Sequence, residues 1–115
     1  MTIVNITVEN DADFYRVFQY KTISGVPIDI SGATFLMMLR RHASDAAAVL
    51  RLSTETGEIV VTDAINGMFS IFITQARLET LGTGDFDHSN IMTVGNGMKR
   101  SIWTGVFTNN PGASR

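Results

Sequence analysis

Apolar residues in this chain recur at every second position far more often than at every third or fourth, and that spacing predicts strands. Val4, Ile6 and Val8 alternate with Asn5, Thr7 and Glu9 over residues 2–8. Phe14, Arg16, Phe18 and Tyr20 share one face of a second run, with Tyr15, Val17 and Gln19 on the other. Residues 33–41 form a third, where Phe35, Met37 and Leu39 oppose Leu36 and Met38, so both faces are apolar in its middle. Residues 49–53 and 58–62 read as short strands about the turn Glu55-Thr56-Gly57. Residues 68–73 are nearly all apolar, β-branched or aromatic, which predicts a strand buried deep in a sheet. Residues 85–94 place Phe86, His88, Asn90, Met92 and Val94 on one face, and residues 99–108, with Trp103, close the pattern.

One segment breaks the period of two. Thr74 is a helix-capping residue, Leu78 and Leu81 lie three apart among good helix formers, and Gly82 and Gly84 follow. A single short helix over residues 75–81 is predicted. Asn66-Gly67 and Asn96-Gly97 predict tight hairpins, because that dipeptide most readily supplies two residues with φ > 0. Residues 42–48 fit either a helical turn capped by Ser44 or Asp45 or a loop. Seven or eight strands separated by turns make an all-β, antiparallel immunoglobulin-like sandwich the expected fold. It is expected to occupy residues 1–108, with 109–115 as a flexible C-terminal tail.

Composition narrows the function more than it defines it. At 115 residues the chain is long enough for one domain with its own core. It has no cysteine, which excludes disulfides and thiolate chemistry. A net charge of −2 gives no long-range attraction to nucleic acid or anionic lipid, so neither is expected as a partner. The first ten residues lack the basic start and apolar stretch of a secretory signal, and no run is long enough for a membrane helix. A low charged fraction and six methionines point to apolar surface available to partners.

Candidate chemistry is sparse. Glu9, Asp11 and Asp13 alternate, but a calcium site needs six to eight oxygens in a glycine-shaped loop, so a solvated acidic turn is expected. Asp85 and Asp87 fall on one face of a strand and His88 on the other, which keeps the three from one zinc ion. Arg40, Arg41, Lys99 and Arg100 would form a basic patch only if their strands were neighbours. Trp103 with Tyr15, Tyr20 and Phe107 would form a sugar-stacking platform if exposed; a buried tryptophan would favour a structural role. No base–nucleophile pair and no cofactor motif is present, so no enzyme activity, cofactor or metal is expected.

Four stretches resemble a known family. Pro27-Ile28-Asp29-Ile30-Ser31-Gly32-Ala33-Thr34 looks like a lead-in to a third strand. Asn66-Gly67-Met68-Phe69-Ser70-Ile71 looks like the glycine, strand and short-helix segment. Leu78, Leu81, Gly84, Asp85, Phe86 and Asp87 look like the return strand, and residues 97–106, with Gly105, the closing hairpin. In this order they resemble the immunoglobulin-like module of bacteriophage and prophage tail and baseplate proteins, including the N-terminal domain of baseplate upper proteins. His88 and Ser89 stand where a more acidic or apolar continuation is common. The resemblance implies a β-sandwich, no enzyme activity and a structural place in a phage tail.

The expectation is therefore a virion structural module that assembles with other tail or baseplate proteins, or with itself. The contact residues expected are Leu36, Met37, Met38, Met92 and Met98, with an exposed edge strand as the other route. The alternative is a carbohydrate-binding sandwich that contacts host surface glycans.

Overall fold

The computed structural model describes residues 3–114, so Thr2 in the expected first strand and Arg115 in the expected tail lie outside the described residues. The described elements are β1 (Ile6–Glu9), β2 (Phe14–Gln19), β3 (Thr34–Arg40), β4 (Leu50–Ser53), β5 (Ile59–Asp63), β6 (Met68–Ile73), α1 (Gln75–Leu81), β7 (Gly84–Thr93) and β8 (Lys99–Asn110). They form two sheets, a five-stranded one in the order β1-β8-β7-β3-β4 and a three-stranded one in the order β2-β6-β5. This is an all-β, immunoglobulin-like sandwich with one short helix.

The core follows from the alternation. Phe35, Met37, Leu39, Leu50, Leu52, Phe86, Met92, Ile102, Trp103 and Phe107 of the larger sheet are buried together with Ile59, Phe69, Ile71 and Ile73 of the smaller. Each such side chain contributes roughly 1.5–3 kcal/mol by leaving water. Phe69 lies at the centre: its ring stacks on Phe35 at 4.7 Å, on Trp103 at 5.7 Å and on Phe18 at 5.8 Å between centroids.

Several expectations are refined. The sheets are not wholly antiparallel, because β1 runs parallel to β8, with Ile6 paired to Phe107 and Glu9 to Asn110. Neither Asn-Gly pair has two positive φ angles. Only Gly67 (φ 68) and Gly97 (φ 86) take φ > 0, and the amides of Gly67 and Gly97 bond back to Ala64 and Val94. Each is a longer turn closed by a glycine. Residues 42–48 form turns and bends, with no helix. There the Asp45 carboxylate accepts from the His42 amide at 3.2 Å, and Arg40 Nε donates to the Asp45 carbonyl at 3.0 Å.

The expected tail is partly sheet. β8 continues to Asn110, and Asn109 is fully buried. Its Nδ2 donates to the Leu78 carbonyl at 2.7 Å and the Gly82 carbonyl at 2.9 Å, satisfying the C-terminal end of α1. Helix ends leave carbonyls without partners, and here a strand residue supplies the donor. At the other end Thr74 Oγ1 accepts from the Arg77 amide, and Asp13 accepts from the Gln75 amide at 2.7 Å. The Gly112 amide donates to buried Asn10 at 2.8 Å, so the chain is anchored beyond the strand as well.

Candidate interaction surfaces

The polar residues that invited a catalytic or metal-binding reading are each tied into the fold. Asp11 accepts from the Ser114 amide and Asp13 from α1, so the acidic turn is a set of loop anchors. Asp85 accepts from Thr108 Oγ1 at 2.8 Å, and Asp87 accepts from the Ala43 amide at 2.9 Å. His88 turns inward, away from both. Among the described residues no three metal-binding side chains cluster. Arg40 pairs in register with Asp87 at one end of the large sheet and Lys99 with Thr93 at the other, so the four basic residues form no patch.

His88 does have a specific environment. Its Nδ1 accepts from Trp103 Nε1 at 3.3 Å, and its Nε2 lies 2.9 Å from the Val4 carbonyl. Gly105 stands opposite His88 in the β7–β8 register, and a side chain there would run into the Val4 carbonyl. The gap lets that carbonyl turn toward the ring. The Val106 amide takes the Asn5 side chain instead, at 3.0 Å. Burial holds the His88 pKa below 6.5, against smaller opposing contributions from the Val4 carbonyl and Asp87. Trp103 and Phe107 are buried, while Tyr15 projects from the outer face of the other sheet, so the sugar platform does not form.

The five expected contact residues separate by strand periodicity. Met37 is 0 % exposed and Met92 2 %; both are core and cannot meet a partner. Leu36 and Met38 are half-buried on the outer face of the large sheet, and Met98 is exposed in the last hairpin. Met38 lines an open groove of about 560 Å³ with Ile3, Arg40, Asp87, Thr104 and Val106. Ile3 and Val106 expose apolar surface along it, and Arg40 donates to the Met38 sulfur at 3.5 Å.

A second exposed apolar surface lies on the outer face of the three-stranded sheet. Tyr15 stands opposite Phe72, and Val17, Ser70 and Val60 form the next row. Tyr15 is 60 % exposed, Val60 49 %, Val17 41 % and Phe72 39 %. Close by, Arg77 of α1 meets Glu58 at 3.2 Å. Burial works to raise the Glu58 pKa, but hydrogen bonds from the Thr56 hydroxyl and Ser53 amide, together with Arg77, hold it lower. The signal for this surface was in the sequence: β6 is apolar on both faces, but only one of them has a sheet to pack against.

No protein-family model matches the sequence, and no curated protein matches it. Among solved structures, the chain is similar to the N-terminal domain of phage TP901-1 ORF48, with a TM-score of 0.56 and 17% identity, over 95% of this chain and 85% of that one. A second match is murine CRIg, with a TM-score of 0.46 and 12% identity, over 94% of this chain and 92% of that one. The first likeness is one of fold across nearly the whole chain.

Proposed function

We propose that this chain is a non-enzymatic structural module of a phage or prophage tail, of the baseplate type, acting through protein–protein contacts. The observation that carries this reading is the fold likeness to a phage domain over 95% of the chain. The order of the four sequence stretches points the same way. The module would sit in the virion and fold in the host bacterial cytoplasm during assembly, with other tail proteins as partners.

The mechanism is docking of a preformed sandwich, which requires little backbone movement. The face made by Tyr15, Val17, Val60 and Phe72 is the best placed to dock, because a cluster of exposed apolar side chains on an ordered sheet marks a contact surface. Self-assembly has less support than contact with a second protein. Of the doubly apolar third strand, Met37 and Leu39 are core, which leaves only the half-buried Leu36 and Met38 on its outer face for a second copy.

Co-expression with the tail proteins encoded beside it, followed by affinity capture, tests the proposal. A tail protein should co-purify with the wild type. Phe72→Asp should lose it while the melting temperature stays near the wild-type value. If none of those proteins co-purifies with the wild type, the reading fails.

A further inference from the structure

We infer that the open edge of β2 takes up an extended segment of a partner protein in which an acidic and a large apolar residue stand two positions apart. The inference rests on the reading of the chain as an assembly module, and it names the chemistry of the partner.

Four strands lie at sheet edges, and they are not equally open. β1 and β4 have four residues each, and β5 has five with a register shift between Val61 and Asp63. Shortness and bulges are the usual defences against an added strand. β2 has neither: it runs six residues in unbroken register with β6. The Tyr20 amide donates to the Gly67 carbonyl at 2.8 Å. Because antiparallel pairing alternates, Phe14, Arg16 and Phe18 turn their backbone groups to β6. The N–H and C=O groups of Tyr15, Val17 and Gln19 then face the open edge.

The inner side of this edge is chemically specific. The Arg16 guanidinium lies 5.0 Å over the Phe18 ring. Beyond Phe18 opens a cleft of about 200 Å³, lined by Tyr20, Phe69, Ile102 and Trp103 with Lys21 beside them. Neither β2 nor the described lining of the cleft includes a carboxylate. Residues i and i+2 of an added strand would both face inward. One would meet Arg16 and is best a carboxylate; the other would meet the cleft and is best large and apolar. The residue between them would pair with Val17 on the outer face.

An inward-facing charge on an edge also deters the wrong strand. A second copy of β2 would bring its own Arg16 and Lys21 to an edge that already carries two cations. Charge therefore selects an acidic partner over self-pairing. This is strand addition, in which main-chain hydrogen bonds supply affinity and the pockets for alternate side chains supply selectivity.

The test uses the full chain and two synthetic nine-residue peptides of alternating β-branched residues. One carries Glu and Leu two positions apart; the other has Lys in place of Glu. Trp103 is the sole tryptophan and lines the cleft, so its emission reports occupation. The Glu peptide should bind and shift that emission, and the Lys peptide should bind more weakly. Arg16→Glu should reverse the preference, by about tenfold between the peptides. Val17→Pro removes an edge donor without removing a β6 bond and should weaken both. Failure of both peptides to bind, or binding indifferent to Arg16→Glu, overturns the inference. So does a concentration-dependent dimer abolished by Val17→Pro, which would assign the edge to a second copy. If a tail protein co-purifies equally with the wild type and both variants, the edge assignment fails and the functional proposal stands. If the Glu peptide binds selectively but no tail protein co-purifies, the reverse holds.

Discussion

The Nε1–H of Trp103 donates to Nδ1 of His88, and through the other ring nitrogen His88 reaches the Val4 carbonyl. An acceptor at Nδ1 and a donor at Nε2 define one neutral tautomer. Protonation would set two donors against each other at Nδ1. The relay therefore joins β8, β7 and the chain leading into β1 only while the ring is neutral.

A pH dependence follows. The folded-state pKa of His88 lies below 6.5, its ordinary value, with burial as the main cause. Below 6.5 the unfolded chain then binds more protons than the folded one, so stability falls as pH falls toward the lowered folded value and levels off beneath it. The melting temperature should drop between about pH 7.5 and about pH 5, above the range in which most carboxylates titrate. His88→Gln should be less stable at neutral pH but flatter across that window. An equally steep decline in the variant would refute the assignment.

Two glycines with positive φ should differ in cost. A Cβ on Gly67 would lie 2.5 Å from the Ile28 carbonyl oxygen and 2.6 Å from that of Tyr20. At Gly97 nothing lies within 4 Å of the same position. Both substitutions strain the backbone, by roughly 1–2 kcal/mol. Gly67→Ala should cost about 1–3 kcal/mol more than Gly97→Ala, because only there is the space filled by backbone. Urea unfolding of the two variants measures the difference, and equal midpoints would contradict it.

Asn90 is fully buried opposite Met37 and Trp103, and neither its side-chain oxygen nor its nitrogen has a hydrogen-bond partner. A buried polar group without a partner costs about 1–3 kcal/mol. Asn90→Leu, close in shape, should raise the melting temperature. A lower melting temperature would show that the amide is satisfied in solution.

Asn109 should respond in the opposite direction. It is as buried as Asn90, but its amide holds two carbonyls at the end of α1. Asn109→Leu leaves those carbonyls without a donor and should destabilise by about 1–3 kcal/mol. Amide exchange at 75–82 should rise in step. Unchanged protection there would place the stabilisation elsewhere.

Strand periodicity carried most of the fold. The residues that face inward on β3 and β7 alternate as Phe35, Met37 and Leu39 and as Phe86, His88, Asn90 and Met92 predicted. Asn109 was misread because Asn-Asn-Pro-Gly is turn chemistry; its burial depends on α1, 31 residues earlier. Met37 and Met92 were misread because methionine suits a core and an interface equally, and only the position of the second sheet decides which. The Tyr15–Phe72 face was missed for the same reason in reverse. An apolar strand does not state how many of its faces are covered.

The parallel pairing of β1 with β8 has a mechanical consequence. Ile6 lies beside Phe107 and Glu9 beside Asn110, so the chain approaches β1 at one pole of this ladder and leaves β8 at the other. A pull applied through Ile3 and Ser114 loads the two strands in shear, so that their hydrogen bonds share the force instead of opening one after another. Stretched between neighbours, the sandwich would behave as a stiff coupling. Single-molecule pulling across these two ends should rupture it at a higher force than pulling across the β7–β8 hairpin, whose bonds unzip in turn.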